Sequence, residues 1–467
     1  MTLIKSISGI RGTIGGKVGD NLTPVDAVKF ASAYGTFLKQ NRDSSRTQND
    51  KLVVVIGRDA RISGPMIHNL VMNTLLGLGI DVIDLGLSTT PTVEIAVPLE
   101  NADGGIILTA SHNPKQWNAL KLLNSKGEFL SGDDGAKILE IADAEAFDFS
   151  DVDSLGEITA NDAYMDIHID EVLNLPLVDA DAVAKRKYKV VVDAVNSSGG
   201  IIIPNLLEQM GEEVVKLYCT PNGHFPHNPE PLKEHLADIS KLVIEEKADF
   251  GIVVDPDVDR LAFICNDGEM FGEEYTLVAC ADYVLSKTPG NTVSNMSSSR
   301  ALCDITNKHN GNYQASAVGE VNVVELMKKT NAIIGGEGNG GIIYPELHYG
   351  RDSLVGVALF LTYLAGQEKT VAELRASYPQ YYMSKNKIEL TPQIDVDAIL
   401  EGMTKKYKNE NISTIDGVKI DFAENWVHLR KSNTEPIIRI YTEAATQQEA
   451  DGLALRIIEE IKAIAGI

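Results

Sequence analysis

Short apolar runs alternate with amphipathic stretches through the first three quarters of the chain. Apolar runs predict strands at 52–56, 80–85, 105–109, 189–193, 250–255, 292–293 and 332–334. The stretch 65–78, between the first two of these runs, has the apolar spacing of a helix. Strands that alternate with helices in this way indicate parallel α/β construction.

The last part of the chain, from about residue 385, has a different pattern. An amphipathic stretch at 396–408 predicts a helix, and a second one at 447–463 predicts another. Apolar runs at 426–429 and 437–442 predict strands between them. This order is typical of a small α+β domain with an antiparallel sheet. With 467 residues and roughly 100–200 residues per domain, the patterns favour four domains.

Composition and charge narrow the class of protein. Hydrophobic residues make up 44% of the chain, without an uninterrupted apolar run of about 18 residues, and the first twelve residues lack the apolar segment of a signal peptide. We therefore expect a soluble, cytoplasmic protein. A formal net charge of -24 argues against nucleic acid or an anionic membrane as the main partner. The strongly acidic stretch from Asp133 to Asp181 is interpreted as a solvated, partly linking segment.

The segment from Thr109 to Pro114 reads Thr-Ala-Ser-His-Asn-Pro and follows a predicted strand. Ligands bind at the carboxyl ends of strands in open α/β sheets, so Ser111 is a candidate nucleophile or phosphoryl carrier. His112 is a candidate base. Adjacent side chains on an extended chain point to opposite faces, however, which argues against a direct pair between Ser111 and His112. Taken alone, the segment is also typical of a capped turn.

Three aspartates alternate after the next group of strands, in the run Asp255-Pro256-Asp257-Val258-Asp259-Arg260. Alternate residues share a face, and a curling loop can bring three carboxylates around one cation. Ligation by oxygen alone favours a hard ion such as Mg²⁺. The run is not an EF-hand, because the glycine required at its sixth position is Arg260 here. A turn with solvated carboxylates is the alternative interpretation.

Glycines surround two polar residues in the run from Gly335 to Gly341. Glycine lets the backbone approach a ligand closely, and Glu337 and Asn339 offer groups suited to sugar hydroxyls. A flexible turn explains such a run equally well. The chain has no Walker Gly-Lys-Ser/Thr motif, so a P-loop nucleotide site is not supported.

A fourth polar segment lies between Arg430 and Arg439, where three successive side-chain donors occupy 432–434. Arginine binds phosphate in bidentate geometry, so the two flanking arginines predict a phosphate cradle. Hydrogen-bonding turn residues alone could explain the three donors. A plain turn would not need the two arginines.

In this order and at these separations, the four segments resemble those of the α-D-phosphohexomutase family, and the resemblance covers essentially the whole chain. It implies four domains around a central cleft, the first three with mixed α/β sheet cores and the last an α+β domain. The implied domains are a phosphoserine domain at 1–150, a metal-binding domain at 160–265, a sugar-recognition domain at 266–375 and a phosphate-binding domain at 385–467.

The resemblance also implies a role for individual residues. Ser111 is implied as the phosphoserine, Lys121 as the general acid or base, and Arg11 as an arginine beside the phosphoserine. The implied ligands of Mg²⁺ are Ser111, Asp255, Asp257 and Asp259. The implied substrate-binding residues are Arg260, Glu337, Asn339, Arg430, Ser432, Asn433, Thr434 and Arg439.

The implied substrate is a phosphosugar, with a hexose 1,6-bisphosphate as intermediate and activator. Many relatives have Ser-Gly-His in the third-domain loop, where this chain has Asn339-Gly340-Gly341. The loop resembles that of an archaeal-like branch, whose members are commonly assigned to phosphoglucosamine or to phosphoglucose and phosphomannose interconversion. We therefore predict interconversion of glucosamine 6-phosphate and glucosamine 1-phosphate. A phosphomannomutase or phosphoglucomutase is the near alternative, and a serine phosphatase the more distant one.

Overall fold

The structure is a computed structural model that describes residues 2–6, 9–42, 51–389, 395–431 and 437–465. The described chain divides into two compact units. The first unit consists of residues 1–276 and 340–372, and the second consists of residues 277–339 and 373–467. No helix in these ranges is long and apolar enough to cross a membrane.

The first sheet of the first unit has seven strands. They are β1 (Ile4–Ser6), β2 (Gly9–Thr13), β3 (Val53–Arg58), β4 (Asp81–Leu87), β5 (Gly104–Leu108), β6 (Trp117–Leu123) and β7 (Ile158–Ala160), in the spatial order β1-β2-β6-β5-β3-β4-β7. Strands β5, β3, β4 and β7 are parallel neighbours. Strand β6 is antiparallel to β5, and β2 is antiparallel to β6. The helices of this region are α1 (Pro24–Gln40), α2 (Gly64–Gly77), α3 (Thr90–Leu99), α4 (Gly132–Ala144), α5 (Tyr164–Leu173) and α6 (Ala180–Ala184).

The second sheet of the first unit has four strands. They are β8 (Lys189–Asp193), β9 (Glu213–Leu217), β10 (Phe250–Val254) and β11 (Leu261–Cys265), in the order β11-β10-β8-β9. Strands β9, β8 and β10 are parallel, and β11 returns antiparallel to β10. The helices α7 (Gly199–Gln209) and α8 (Ala237–Glu245) connect the parallel strands. Helix α9 (Glu273–Lys287) then crosses the boundary into the second unit.

The second unit has a parallel group of strands and an antiparallel sheet. The parallel group is β12 (Asn291–Asn295), β13 (Tyr313–Ser316) and β14 (Ala332–Glu337), with the helices α10 (Ala301–Lys308) and α11 (Glu320–Thr330). The chain then returns to the first unit as β15 (Gly341–Ile343) and α12 (Ser353–Ala365), and α13 (Val371–Ala376) crosses the boundary again. The strands of the antiparallel sheet are β16 (Tyr382–Glu389), β17 (Asn411–Ser413), β18 (Val418–Asp421), β19 (Trp426–Lys431) and β20 (Ile437–Ala444), in the spatial order β16-β20-β19-β18-β17. The helices of this region are α14 (Val396–Lys406) and α15 (Gln447–Ala465).

These elements confirm the predicted strands and helices to within a few residues, and they confirm the C-terminal α+β arrangement. The apolar pattern indicated parallel construction, and the mixed sheets that the resemblance implies are confirmed. Strands β6 and β11 were not predicted, and each follows its parallel partner after a loop and returns antiparallel to it. A short loop without a crossover helix permits only antiparallel pairing.

An aromatic cluster forms the core next to β10 and β11. Phe263 stacks on Phe360 of α12 with ring centroids 3.9 Å apart, and Phe250 and Phe271 contact the same ring edge-on at 6.4 and 5.4 Å. All four rings are fully buried. Since β10 and β11 flank the aspartate loop, this cluster supports the two strands that present it.

Replacing Phe360 with alanine removes the ring that joins this cluster. We expect Phe360→Ala to lower the free energy of unfolding by about 3–5 kcal/mol, through lost burial and the cavity left behind. Urea unfolding of the full chain measures the change. Phe149→Ala, at a ring that is 51% exposed, is the control and should change stability little; equal losses in both variants would contradict the assignment.

Candidate active site

Ser111 lies in the loop between the antiparallel strands β5 and β6, with only 6% of its surface exposed. Its φ is 47°, a left-handed conformation that few residues other than glycine adopt. The Ser111 Oγ–H donates a hydrogen bond of 2.7 Å to Oδ2 of Asp255. Strain at such a position is typical of sites where the backbone is held for function.

The backbone turn at Ser111 corrects one expectation from the sequence. The side chains of Ser111 and His112 do not point to opposite faces, because the left-handed residue breaks the extended pattern, and Oγ lies 3.4 Å from Nδ1 of His112. Burial and the nearby Arg260 and Arg11 guanidinium groups hold the pKa of His112 well below its usual value. His112 is therefore neutral at pH 7.

The three alternating aspartates form the loop between β10 and β11, and none has exposed surface. One carboxylate oxygen from each lies within 4.8 Å of the others. Oδ1 of Asp255 accepts hydrogen bonds from the backbone N–H groups of Asp259 and Arg260, at 3.2 and 3.1 Å. The loop thus curls around the Asp255 carboxylate. The alternative of a solvated turn is wrong, because the carboxylates are fully buried.

The same three carboxylates fit a hard divalent cation. Oδ1 of Asp257 and Oδ1 of Asp259 are buried and accept no hydrogen bond from the described residues. A buried carboxylate oxygen without a donor is costly unless a cation occupies its free side. An all-oxygen donor set of this kind suits Mg²⁺ better than a softer metal.

Lys121 and Arg351 place positive charge against the aspartates. Nζ of Lys121, on β6, lies 2.6 Å from Asp257 Oδ2 and 3.2 Å from Asp259 Oδ2. The guanidinium of Arg351 lies 2.7 Å from Asp259 Oδ2. Thr90, at the start of α3, donates to the same Asp257 oxygen at 2.6 Å. Three residues distant in sequence therefore converge on one loop.

These charges shift the pKa values of the loop in opposite directions. Burial, together with Asp257 and Asp259, raises the pKa of Asp255 well above its usual value. Burial also opposes the charged form of Asp259, but Arg351 and Lys121 outweigh it and lower the pKa of that carboxyl. Burial likewise opposes charge on Lys121, and Asp257 and Asp259 nevertheless raise its pKa. In this arrangement Lys121 is a charged ammonium.

Two further predicted cations lie in the same unit. The Arg11 guanidinium is 3.4 Å from Oδ1 of Asn113 in the serine loop. Arg260 forms an ion pair of 3.1 Å with Glu230 and is largely buried. Burial lowers the pKa of Arg11, and its proximity to Arg260 adds to the effect. Cations kept this close together attract a phosphate dianion.

Arg61 holds the serine loop through its backbone carbonyl groups. The sequence analysis did not identify this residue. Its fully buried guanidinium donates to the backbone carbonyls of Ser111, Asn113, Pro114 and Trp117. Its Nε donates to Asp59 at 2.9 Å. No local pattern distinguishes this arginine from a surface one, because its acceptors are carbonyl oxygens about fifty residues away.

Asp59 links this arginine to the strand that precedes the serine. Oδ2 of Asp59 also accepts a hydrogen bond of 2.7 Å from the Thr109 hydroxyl. Oγ1 of Thr109 in turn accepts from the Ser111 N–H at 2.9 Å. Both sides of the serine turn are thereby anchored to one buried ion pair.

In the second unit, Glu337 ends β14 and is buried. One of its oxygens accepts hydrogen bonds from the Asn295 side chain at 2.8 Å and from the Gly319 N–H at 3.2 Å. Gly335 and Gly336 belong to the strand, so the glycine-rich loop itself is shorter than the sequence suggested. Asn339 follows Glu337 in this loop.

The two arginines of the predicted phosphate cradle lie directly opposite each other. Arg430 on β19 and Arg439 on β20 are register partners in the antiparallel sheet. Arg430 also forms an ion pair of 2.7 Å with Asp416, a residue that the sequence analysis did not single out. The other predicted cradle residues, Ser432, Asn433 and Thr434, lie outside the described residues.

Four family models match successive parts of the chain. They are described as phosphoglucomutase/phosphomannomutase alpha/beta/alpha domain I (residues 3–149), domain II (166–268), domain III (272–382) and the C-terminal domain (385–460).

Curated relatives match over nearly their full length. A phosphoglucomutase/phosphomannomutase of Thermococcus kodakarensis is 37% identical, covering 96% of this chain and 98% of the relative. A phosphoglucosamine/phosphogalactosamine mutase of Sulfurisphaera tokodaii is 32% identical, covering 98% and 97%. A probable phosphoglucosamine mutase of Methanopyrus kandleri is 30% identical, covering 97% of both chains.

Solved structures share the fold. A phosphoglucomutase/phosphomannomutase family protein from Burkholderia thailandensis superposes with a TM-score of 0.84 at 24% identity, covering 99% of this chain and 98% of that chain. At this identity the likeness concerns the fold alone.

Replacing Arg61 with lysine should loosen the serine loop. Lysine has three donors on a single nitrogen and cannot reach four carbonyls in a planar fork, so we expect Arg61→Lys to lower kcat about 10–100-fold. Steady-state turnover, with circular dichroism to verify folding, measures the effect. Arg186→Lys, an exposed arginine that also lies beside an aromatic ring, is the matched control. Unchanged kcat in a folded Arg61→Lys variant would contradict the role.

Proposed function

The chain belongs to the phosphoglucomutase/phosphomannomutase family and is a phosphohexomutase, and on that premise we propose that it interconverts glucosamine 6-phosphate and glucosamine 1-phosphate through a phosphoserine at Ser111. The observation that carries the phosphoserine assignment is the buried Ser111 hydroxyl, 2.7 Å from a carboxylate of the aspartate loop. A serine held this close to three buried aspartates needs positive charge when it is phosphorylated.

The proposed reaction moves one phosphoryl group onto the sugar and another back to the enzyme. The C1 hydroxyl of glucosamine 6-phosphate attacks the phosphorus of phosphoserine 111. The new bond joins this oxygen to phosphorus, and the bond from phosphorus to Oγ breaks. The resulting 1,6-bisphosphate turns around, and Oγ attacks the phosphorus at C6. Glucosamine 1-phosphate leaves, and the phosphoserine is restored.

The residues around Ser111 supply charge and protons for these transfers. Lys121 is a charged ammonium 2.6 Å from Asp257 and is proposed as the general acid and base, giving its proton to a leaving oxygen and recovering one from the attacking hydroxyl. The Arg11 and Arg260 guanidinium groups are proposed to hold the phosphoryl oxygens.

The proposed metal site consists of Asp255, Asp257 and Asp259 together with a phosphoryl oxygen on Ser111. The two unpaired carboxylate oxygens and the all-oxygen donor set support this assignment. Mg²⁺ held there would neutralise charge on the transferred phosphoryl group. Burial of the loop limits access of water, which favours transfer to the sugar over hydrolysis.

The second unit is proposed to bind the rest of the substrate. Glu337 and Asn339 are assigned to the sugar, and Arg430 and Arg439 to the phosphate that is not reacting, together with Ser432, Asn433 and Thr434. Like charges opposite each other on neighbouring strands are unfavourable, and a bound phosphate would relieve the repulsion between Arg430 and Arg439. A hexose 1,6-bisphosphate is the proposed activator, because it can phosphorylate an unmodified Ser111.

The choice of glucosamine rests on two observations. Relatives about 30% identical over nearly the whole chain are named phosphoglucosamine mutases. In addition, Glu337 offers a buried carboxylate, which can pair with a sugar ammonium at C2. The second candidate is a phosphoglucomutase or phosphomannomutase, supported by the name of the Thermococcus kodakarensis relative at 37% identity.

Removing the proposed phosphate carrier should stop turnover. We expect Ser111→Ala to lose about 10³-fold or more of the mutase rate, because the other hydroxyl in the loop, on Thr109, is bonded to Asp59 and the Ser111 N–H. Phosphorus NMR of the purified protein, treated with a trace of bisphosphate, should show a phosphoserine signal in the wild type that is missing from the variant. Ser286→Ala, at an exposed serine, is the control. Substantial turnover by Ser111→Ala would contradict the phosphoserine.

The sugar is tested by phosphorus NMR with Mg²⁺ and a trace of bisphosphate. We expect the 1-phosphate to form fastest from glucosamine 6-phosphate, compared with equal concentrations of glucose 6-phosphate and mannose 6-phosphate. Glu337→Gln should lower kcat/KM for glucosamine 6-phosphate relative to glucose 6-phosphate by about tenfold, since a neutral amide cannot pair with the ammonium. Faster conversion of glucose or mannose would favour the second candidate, and release of inorganic phosphate alone would contradict a mutase.

A further inference from the structure

The turn between β17 and β18 carries a carboxylate that contacts two other parts of the second unit. Oδ2 of Asp416 accepts a hydrogen bond from the Val318 N–H at 3.0 Å and pairs with Arg430 Nε at 2.7 Å. Gly417 follows with a φ of 73°, and a Cβ there would overlap the carbonyl oxygen of Leu429. The turn therefore packs closely against β19, the strand that carries Arg430.

A first hydrogen-bonded route leads from Asp416 to the carboxylate proposed to read the sugar. Val318 donates its N–H to Asp416, and the next residue, Gly319, donates its N–H to Oε1 of Glu337 at 3.2 Å. Two successive backbone amides thus connect the two carboxylates. The path contains no rotatable side chain between Asp416 and Glu337.

A second route connects the same two residues through the side chains of His428, Ser297 and Asn295. His428 Nε2 contacts the Asp416 carbonyl oxygen at 2.6 Å, and His428 Nδ1 contacts the Ser297 hydroxyl at 2.9 Å. The Ser297 N–H donates to Oδ1 of Asn295 at 2.9 Å, and Asn295 donates to Oε1 of Glu337 at 2.8 Å. The two routes close a ring of hydrogen bonds.

The protonation state of His428 is compatible with its two hydrogen bonds in this ring. Burial lowers the pKa of His428 to about 4, so its imidazole is neutral at pH 7. A carbonyl oxygen can only accept, so Nε2 carries the proton and donates to Asp416, while Nδ1 accepts from the Ser297 hydroxyl. Every contact in the route then has one donor and one acceptor.

The negative charge of Asp416 also reduces the repulsion between Arg430 and Arg439, which are paired residues on the neighbouring strands β19 and β20. Asp416 pairs with Arg430 through Nε, and an arginine carries four further N–H donors on its two Nη atoms. A bidentate phosphate contact uses such donors. The contact at Nε is an ion pair without hydrogen-bond geometry, so Asp416 holds the guanidinium by charge and leaves the Nη groups that a phosphate needs.

We propose that Asp416 is a positioning residue that holds Arg430 at a fixed position relative to Glu337, so that the phosphate and the sugar of the substrate are bound at the same time. This inference rests on the proposed function, in which Arg430 binds the phosphate and Glu337 reads the sugar. Preorganised groups bind more tightly because less conformational freedom is lost on binding. The chemical step occurs at Ser111, so Asp416 acts on substrate binding.

The test is a comparison of KM and kcat in Asp416→Asn. Asparagine keeps an oxygen acceptor for the Val318 N–H but has no charge for Arg430. We expect KM for the hexose 6-phosphate to rise about tenfold while kcat stays within about twofold of the wild type. Asp267→Asn is the matched control, since Asp267 precedes Gly268 in an exposed hairpin turn of the same kind, outside the second unit.

The outcomes separate this inference from the proposed function. KM is measured with whichever of glucosamine, glucose or mannose 6-phosphate the wild type converts fastest, so the identity of the sugar does not affect the result. A wild type that converts none of them overturns the proposed function. An unchanged or lowered KM in folded Asp416→Asn, or a loss confined to kcat, overturns the positioning role of Asp416.

A second variant keeps the inference testable if Asp416→Asn does not fold. Ser297→Ala removes the hydroxyl that contacts His428 and leaves the Ser297 N–H bond to Asn295 in place. We expect KM to rise about threefold with kcat unchanged, because one of the two routes is interrupted. An unchanged KM in this variant would show that the ring does not position the substrate-binding groups.

Discussion

The burial of three aspartates beside one serine is the constraint on which the site depends. Asp255, Asp257 and Asp259 have no exposed surface, and the penalty for burying an unpaired carboxylate is on the order of several kcal/mol. The fold meets it with Lys121, Arg351 and backbone N–H groups, yet two carboxylate oxygens still accept no bond from the described residues. A loop built in this way is incomplete without further positive charge, which agrees with a metal-dependent phosphoryl transfer.

The two chemical loops share a structural plan. The serine loop joins β5 to β6 and the aspartate loop joins β10 to β11, and in both cases the chain returns antiparallel at the carboxyl end of a parallel strand. Such a loop is short and can be held by a few buried contacts. Arg61 holds the first loop by its carbonyl oxygens, and Asp255 holds the second by accepting from its own backbone. Rigid loops suit a reaction in which positioning provides most of the rate enhancement.

In the proposed function, the second unit binds the sugar through a carboxylate and the phosphate through a pair of arginines. The ring of hydrogen bonds from Glu337 to Asp416 passes once through backbone amides and once through the neutral His428. Family membership does not decide which hexose phosphate is preferred, because relatives of similar identity have different names. The proposal for glucosamine therefore rests on Glu337, because a buried carboxylate can pair with an amino group.

The sequence by itself determined the parallel strands that precede both chemical loops, most of the predicted helices and the residue types at the site, because apolar periodicity and polar residues at strand ends are local signals. It placed Ser111 and the aspartates in two loops, and in the structure Ser111 Oγ lies 2.7 Å from Asp255 Oδ2. Only the tertiary structure decided that Arg61, Arg351 and Asp416 belong to these sites. Their partners lie up to about a hundred residues away, and nothing local distinguishes a buried arginine or aspartate from a solvated one. The left-handed backbone of Ser111 was equally hidden, since its neighbours in space, rather than in sequence, hold it there.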